Sequence, residues 1–313
     1  ERISYSYARD IFYLAQHLTK SGEVSGNYPF LNGLIMPQNV NGFWNNRYTR
    51  MANLLTIKNK AIEASDPGYN AIATTLMVVE FRELVDMFNN VPYTDALQGD
   101  QNMTPKYDKG ADVYASLLND IQGAIDNFGT AIADGKYSAP GLKSSDIMFH
   151  GDLKAWQRYA YSIKLSLLMR ISNVKDVASE VAAIADKCLA MDELVTANPG
   201  YYKASGKMNP TYETWGLTYL DKETSYRKQN VPTATFVDAL RENKDPRQRV
   251  YLMPRTDMGD DSVTNYAAFG LENERYIGVP FGQMAPAGNE YVSLTGYPAL
   301  CRTNSTVDGP LAD

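Results

Sequence analysis

Apolar residues recur with the period of an α-helix through most of the first two thirds of the chain. Between residues 69 and 89 they form two adjacent stripes, and a face of this width predicts a helix buried between two neighbours. We expect Asn89-Asn90 to end this helix in a left-handed cap, and Pro92 prevents its continuation. The same spacing predicts further helices over residues 4–20, 45–64, 111–128, 153–171, 176–191 and 233–243.

The pattern changes after about residue 197. Tyr, Asn and Lys then dominate without clear periodicity, and beyond Asp245-Pro246-Arg247 the frequent Gly, Pro, Tyr and Thr indicate long loops with occasional short strands. We therefore predict a mostly α fold with few short strands. Within a single domain, 1–313, a helical scaffold over 1–197 would carry a loop-rich, ligand-facing part over 198–313.

Composition narrows the possible functions. The chain has 313 residues, of which 44% are hydrophobic, and this is enough for a sizeable core. No apolar run approaches the roughly 20 residues that span a bilayer. The net charge of −6, with basic residues scattered, argues against nucleic acid or anionic lipid as a partner. The 22 tyrosines and 15 prolines indicate ordered loops that carry flat, amphipathic rings, as on extracellular binding proteins.

Side chains that usually carry catalysis are few. The imidazoles, His17 and His150, lie in no recognisable nucleophile or metal arrangement, and the sequence has no phosphate-binding glycine loop. Cys188 and Cys301 form neither a disulfide framework nor a metal spacing, and Cys188, on an apolar helical face, is expected in the core. The acidic segment 257–261 could offer oxygens to calcium, but it lacks the spacing of a calcium loop and favours a solvated turn. We predict no catalytic residue, no metal site and no cofactor.

The most informative motif begins at Asp146 and continues through Gly151-Asp152 and Trp156 to Met169-Arg170. It resembles the "D…GD…W…MR" helix of the SusD/RagB family, in its SusD-like group two. Tyr161 departs from the family's helix, which often carries Asn there. Further fragments of the family pattern follow one another in the expected order: Val91-Pro92-Tyr93-Thr94-Asp95-Ala96-Leu97, Pro105-Lys106-Tyr107-Asp108 with Val113-Tyr114, Phe236-Val237-Asp238 with Asp245-Pro246-Arg247, and Tyr276 to Gly282.

The resemblance implies a function that composition does not. It implies a helical fold with tetratricopeptide-like helix pairs, for which the wide-faced helices 69–89 and 111–128 are suited. It implies a cell-surface protein, lipid-anchored to the outer membrane at its N-terminus, that closes over a SusC-like TonB-dependent transporter. Members of the family usually bind oligosaccharides, and some bind peptides. We expect the lipidated N-terminus and the family's C-terminal helices to be absent from this chain, so that membrane contact depends on an anchor outside it.

The motif residues themselves are expected to support the fold and not to touch a ligand. Asp152 is placed to cap the long helix, Trp156 to fill its inward face and Arg170 to tie the helix to a neighbour. The Asp245-Pro246-Arg247 segment predicts a turn whose arginine pairs locally.

Rings in loops are the predicted ligand contacts. A sugar presents a weakly apolar C–H face that packs on a flat ring, and its hydroxyls bond to amide and charged side chains. The non-periodic segment 209–219 offers three rings with polar neighbours, and we predict that Asn209, Tyr212, Trp215 and Tyr219 bind the ligand. The alternative is that this segment folds over the helices with Trp215 buried.

Trp44 is a further predicted ligand contact. It follows Gly42 in an expected loop that enters the helix 45–64, with Asn45 and Asn46 beside it. The alternative role for Trp44 is a core anchor for that helix.

The function predicted from these features is capture of an oligosaccharide for the transporter without chemical change. Three alternatives stay open. The same fold could bind peptides, or a helical glycoside hydrolase could use a carboxylate pair, which has no fixed sequence spacing. A scaffold protein would instead bind another protein in a basic or apolar groove.

Overall fold

The computed structural model of the protein describes residues 11–20, 29–135, 140–193, 195, 197–202, 204–209, 230–253, 278–279, 281 and 293–294. The chain forms two compact units, one of residues 40–198 and one of residues 1–39 with 199–313. Residues 11–14 are helical. The helices that follow in chain order are α1 (Pro29–Asn32), α2 (Pro37–Glu63), α3 (Pro67–Phe88), α4 (Gly110–Asp134), α5 (Pro140–Ser145), α6 (Leu153–Ile171), α7 (Ala178–Ala182), α8 (Ala234–Glu242) and α9 (Gln248–Tyr251). The strands are β1 (Leu18–Lys20), β2 (Asn230–Pro232), β3 (Leu252–Met253) and β4 (Ser293–Leu294), and 3₁₀ turns cover Gly99–Gln101 and Ala185–Lys187.

In the unit of residues 40–198, successive long helices pack against one another in alternating directions. Tyr114, near the start of α4, donates a hydrogen bond to Asp86, near the end of α3. Gln157 of α6 donates to a backbone carbonyl of α4 at 3.1 Å. Arg82 Nη1 donates to Ser166 Oγ at 2.9 Å and links α3 to α6. The fully buried side chains of the core between these helices include Met51, Leu84, Val113, Leu117, Ile121, Phe128 and Leu167.

Helix α3 forms where the double apolar stripe predicts it. The Asp66 carboxylate accepts the Tyr69 N–H at 3.0 Å, and Pro67 occupies the first turn, where its missing N–H costs nothing. At the other end Asn89 has a φ of 63° and donates its N–H to the Val85 carbonyl at 2.9 Å. The predicted asparagine cap is therefore confirmed in position and in its positive φ, whereas its ψ of −75° lies outside the left-handed α region. The wide apolar face packs against both α4 and α6, as its width indicates.

The motif residues of α6 have the structural roles that the sequence predicts. Asp152 accepts two backbone N–H groups of the first turn, at 2.9 and 3.1 Å. Trp156 is 2% exposed and fills the core. Arg170 pairs with Asp86 of α3, with its Nη2 atom 3.0 Å from a carboxylate oxygen.

The predicted helix over 4–20 is wrong at its C-terminal end. Residues 11–14 are helical, but Gln16 has a φ of 55°, which ends the helix, and the chain continues as β1. This strand pairs antiparallel with β2, and the Tyr13 hydroxyl donates to Asn230 of β2 at 2.5 Å. The apolar spacing fits a helix, but pairing with a strand that is distant in sequence overrides that local preference.

Two other helix predictions have wrong boundaries. Helix α2 begins at Pro37 and not at residue 45, because Pro37 fits the first turn and Asn39 Oδ1 accepts the Met36 N–H at 2.8 Å. The predicted helix over 176–191 is divided into the short α7 and a 3₁₀ turn.

Cys188 follows that 3₁₀ turn in an extended conformation and is half-buried, so its predicted place in the core is wrong. Its Sγ lies 3.4 Å from the Ile184 carbonyl oxygen. Burial raises the pKa of the Cys188 thiol, which makes it a poor nucleophile. Cys301 lies outside the described residues.

The unit of residues 1–39 and 199–313 contains the short strands. Strand β1 pairs with β2, and β3 pairs with β4, in both cases antiparallel. Thr233 caps α8 by accepting the Phe236 N–H at 3.2 Å. Asp245 accepts hydrogen bonds from Arg247 Nε at 2.9 Å and Nη2 at 2.5 Å, so the predicted local pairing is confirmed. A small core forms around Val237, Leu240 and Leu252.

Gly278 allows a close approach between two backbone segments of this unit. Val279 donates to the Pro232 carbonyl at 3.0 Å, and Ala234 donates to the Val279 carbonyl at 2.8 Å. A Cβ atom on Gly278 would overlap the Thr233 carbonyl and lie 2.5 Å from the Ala234 nitrogen. Both obstacles are backbone atoms and cannot rotate away.

We expect Gly278→Ala to destabilise this unit by about 1–3 kcal/mol, because the two segments must separate. Amide hydrogen exchange of Ala234 and Val279 measures the effect directly, since both N–H groups donate across the contact. The control is Gly123→Ala, where nothing lies within 4 Å of the added Cβ on α4. Exchange in Gly278→Ala as slow as in the unaltered protein would contradict the prediction.

Candidate functional site

The structure places only part of the predicted ligand-binding set. Asn209 is half-buried at the end of the described segment 204–209. Tyr212, Trp215 and Tyr219 lie outside the described residues, so their role stays a prediction. Trp44 is described, in the unit of residues 40–198.

Trp44 lies in the second turn of α2 and not in a loop, so the predicted loop position is wrong. Its indole is half-buried. It meets the Phe88 ring edge-on with centroids 5.0 Å apart and lies 5.2 Å from the Tyr48 ring. The residue thus anchors α2 against α3 and still leaves part of its ring open to a ligand.

Tyr107 lies against the same indole. The two ring centroids are 6.0 Å apart and the ring planes differ by 24°. Tyr107 is 64% exposed, which is unusual for a side chain in a stacked pair. We call this pair the Trp44–Tyr107 surface.

Tyr107 is fixed in place through the residue that follows it. Asp108 exchanges backbone hydrogen bonds with Val91, at 3.2 and 3.0 Å. Its carboxylate accepts the backbone N–H groups of Thr94 at 2.8 Å and Tyr93 at 3.0 Å. Burial alone would raise the pKa of Asp108, but these hydrogen bonds outweigh it and hold that pKa below its usual value. The ring is therefore carried by a preorganised loop.

A chain of rings supports this surface from beneath. Tyr48 contacts Trp44 on one side and Phe81 on the other, and Phe81 meets Tyr93 edge-on at 4.7 Å. The Tyr48 hydroxyl donates to the Pro92 carbonyl at 2.7 Å. Burial raises the pKa of both Tyr48 and Tyr93, so both rings stay neutral.

Neutral amides lie beside the open rings. Asn41, Asn45 and Asn46 are exposed on α2, and Asn41 is one turn from Trp44 on the same face of the helix. Residues 37–46 contain no charged side chain. Flat rings with amide donors and acceptors around them suit a neutral ligand that has both C–H faces and hydroxyl groups.

Tyr107 is the residue that sequence reasoning missed. It belongs to the Pro105-Lys106-Tyr107-Asp108 fragment, which the sequence marks only as the entry to a helix. The signal that could have found it is a tyrosine next to a loop-anchoring aspartate. The partner ring, Trp44, is 63 positions earlier by the difference of the two residue numbers, and their stacking depends on tertiary packing.

Metal-binding clusters and membrane-spanning helices are two further features to consider in the described part of the chain. No group of three or more His, Cys, Asp or Glu residues there could hold a metal ion. The acidic segment 257–261 lies outside that part. Among the helices that the structure describes, none is long and apolar enough to cross a membrane.

Comparison with known protein families gives a match over most of the chain. A family model described as "Starch-binding associating with outer membrane", SusD-like 2, matches residues 5–280. No curated protein sequence matches the chain significantly.

Solved structures of similar fold come from the same group of proteins. A SusD/RagB family protein from Bacteroides thetaiotaomicron superposes with a TM-score of 0.69 at 19% identity, over 92% of this chain and 57% of its own. A SusD homolog from Bacteroides fragilis superposes with a TM-score of 0.68 at 19% identity, over 95% of this chain and 60% of its own. A chitin-binding SusD homolog from Flavobacterium johnsoniae superposes with a TM-score of 0.65 at 20% identity, over 93% of this chain and 57% of its own.

These likenesses bear out the predicted mostly helical fold. The chain spans only about three fifths of the length of these structures, between 57% and 60%. The family match covers most of the chain and contains the long α6 helix with its capped turn and buried tryptophan. The chain therefore belongs to the SusD-like 2 family, as its order of motifs predicts.

Proposed function

We propose that the protein captures a neutral oligosaccharide at the outer surface of the outer membrane and passes it unchanged to a SusC-like TonB-dependent transporter. The observation that carries this proposal is the Trp44–Tyr107 surface, with its neutral amides, in a chain of the SusD-like 2 family. The lipid anchor and the transporter partner come with the family and form part of the proposal.

The surface fits glycan capture in its chemistry. Each ring can pack on the C–H face of a sugar, and stacking of this kind contributes roughly 1–3 kcal/mol per ring by analogy with bases on aromatic platforms. Asn41 and Asn45 can exchange hydrogen bonds with hydroxyls next to the stacked ring. An open surface of two rings gives moderate affinity and fast release, and release is needed if the ligand is to enter a transporter.

Binding to a panel of glycans tests the proposal. Chitin oligosaccharides come first in the panel, because a structural neighbour from Flavobacterium johnsoniae is a chitin-binding SusD homolog. Malto-oligosaccharides follow because of the family description, and neutral plant glycans and a peptide digest complete the panel. Calorimetry measures binding, and an assay for new reducing ends on the same mixtures detects cleavage.

We expect Tyr107→Ala and Trp44→Ala each to weaken binding of the preferred glycan by about tenfold or more. Tyr107→Ala is the cleaner variant, since the side chain is 64% exposed and its removal leaves the core intact. Tyr251→Ala, which removes a ring that is 40% exposed in the other unit, serves as the matched control. Trp215→Ala tests the predicted contribution of the segment 209–219 in the same assay.

Each contrary outcome changes a different part of the proposal. New reducing ends would replace capture with hydrolysis. Binding of peptides alone would keep the fold and replace the ligand class. Glycan binding that survives both Tyr107→Ala and Trp44→Ala would move the site away from this surface.

A further inference from the structure

A cleft of about 250 Å³ opens in the unit of residues 40–198, between α2, α3, α4 and the loop that follows α3. It is separate from the Trp44–Tyr107 surface, since neither Trp44 nor Tyr107 lines it. Its lining residues are Leu55, Lys58, Thr74, Met77, Val78, Phe81, Tyr93, Thr94, Ala96, Leu97 and Asp120.

Among the described lining residues of this cleft, Lys58 is the one cation and Asp120 is the one carboxylate. Lys58 is half-buried on α2, and among the residues that the structure describes no carboxylate lies within ion-pair distance of it and no group accepts a hydrogen bond from it. Two other cations of this helix, Arg47 and Arg50, differ in that both pair with Glu80 of α3. An ammonium without a partner in the described part of the protein favours an anion from outside the chain.

Polar groups of the cleft suit hydroxyls. Asp120 accepts a hydrogen bond from the Tyr93 hydroxyl through one carboxylate oxygen, which leaves the other oxygen available as an acceptor. Thr94 Oγ donates to Asp108 at 3.0 Å, and Thr74 Oγ donates to Asn70 at 3.2 Å. Because both hydroxyl protons are engaged within the protein, both oxygens can act towards a ligand only as acceptors.

Apolar side chains form the rest of the wall. Leu55 of α2, Met77 of α3 and Leu97 of the loop supply aliphatic surface, and Phe81, which is 4% exposed, also lines the cleft. The volume, about 250 Å³, lies below the roughly 300–1,000 Å³ of pockets that enclose drug-sized ligands. The volume of the cleft therefore suits a single sugar ring.

We propose that this cleft binds one sugar acid, a hexuronate, with its carboxylate on Lys58, hydroxyls on Asp120 and the threonine oxygens, and its C–H groups on the aliphatic wall. The charge on Lys58 favours a carboxylate, and the acceptor oxygens favour a ligand with several hydroxyl groups. The aliphatic wall favours C–H surface, and a hexuronate has all three features on one ring. The choice of a sugar among carboxylates rests on the proposed function, whereas the anion site rests on Lys58 and the cleft alone.

Titration of the whole chain with glucuronate, glucose and leucine tests this proposal. We expect glucuronate to bind, glucose to bind at least about tenfold more weakly, and the glucuronate affinity to fall as salt is raised. Lys58→Met should weaken glucuronate binding by about tenfold or more, and Lys58→Arg should restore most of it. Lys60→Met, which removes an exposed cation two positions along the same helix, is the matched control and should have no effect.

Several results would overturn the proposal. They are the absence of glucuronate binding, equal affinity for glucose and glucuronate, an unchanged affinity in Lys58→Met, and tighter binding of leucine than of glucuronate. Tyr107→Ala keeps the two proposals apart, because it should weaken binding of a neutral oligosaccharide and leave glucuronate binding unchanged.

Discussion

Replacing Asp146 by alanine should lower the free energy of unfolding of the unit formed by residues 40–198 by on the order of 4 kcal/mol. The carboxylate is the shared acceptor of the turn that precedes α6, and alanine removes every one of its hydrogen bonds at once. Urea unfolding monitored by tryptophan fluorescence measures the loss, since Trp156 is one of the donors.

The geometry divides these hydrogen bonds equally between the two carboxylate oxygens. Oδ1 accepts the N–H groups of Met148 at 2.9 Å and Phe149 at 3.2 Å. Oδ2 accepts the Gly151 N–H at 2.9 Å and the indole N–H of Trp156 at 2.7 Å. The indole belongs to a side chain that is 2% exposed, so its N–H would be left without a partner at high cost.

This division provides a graded control. Asp146→Asn keeps one acceptor oxygen, so we expect about half the loss of the alanine variant. Asp152→Ala removes only the helix cap of α6 and should cost about 1 kcal/mol. If Asp146→Ala costs no more than Asp152→Ala, the four hydrogen bonds do not act as described.

The charge on Asp146 gives the same prediction a pH dependence. Burial alone would raise its pKa, but the hydrogen bonds from Gly151, Trp156, Met148 and Phe149 outweigh it and hold the pKa below its ordinary value. A carboxyl whose pKa is lower in the folded state stabilises the fold fully above its unfolded pKa, about 3.9. That contribution is lost as the pH falls below this value toward the folded pKa. Asp146→Asn should therefore flatten the acid end of the stability profile.

Local signals predict the helix ends of this chain well. Asp66, Asn89 and Asp152 each act on backbone groups within four residues of themselves, so their roles depend only on neighbouring sequence. The wide stripe of α3 also requires no knowledge of its partners, since a helix that is apolar on two faces must be buried on both.

Signals that depend on distant segments are harder to find. Residues 18–20 have helical apolar spacing but become a strand because β2, more than 200 positions later by residue number, supplies their backbone partners. Asp146 belongs to a recognisable motif, yet its four hydrogen bonds require His150 and Gly151 at φ of 51° and 82°, and this turn geometry is not visible in the sequence.

The candidate site shows the same contrast. Trp44 is a predicted ligand contact because a tryptophan next to asparagines is a local feature, whereas Tyr107 gains its role only by stacking on a residue of another element. Lys58 is one of two lysines on α2 in sequence, and its environment in the cleft depends on α3, α4 and the intervening loop.

Replacing Glu80 by glutamine should lower the free energy of unfolding by about 3 kcal/mol, because the negative charge at the centre of a buried ion cluster is lost. Glu80 accepts Arg50 Nε and Nη2, both at 2.9 Å, and lies 3.8 Å from Arg47 Nε. The side chains of Arg47 and Glu80 are only 7% and 8% exposed. Thermal and urea unfolding measure the loss. Asp95→Asn, which breaks the exposed Lys106–Asp95 pair at 3.7 Å, is the control and should cost less than about 1 kcal/mol.

A second variant distinguishes loss of the charge balance from loss of packing. Arg47→Met combined with Glu80→Gln removes one charge of each sign, and methionine can keep contact with the Phe43 ring, whose centroid lies 3.6 Å from the Arg47 guanidinium carbon. If the Arg47 charge destabilises the fold once Glu80 is neutral, the double variant is more stable than Glu80→Gln alone. If the two losses simply add, Arg47 is held by its contacts with Glu83 and Phe43, and the charge on Glu80 serves Arg50.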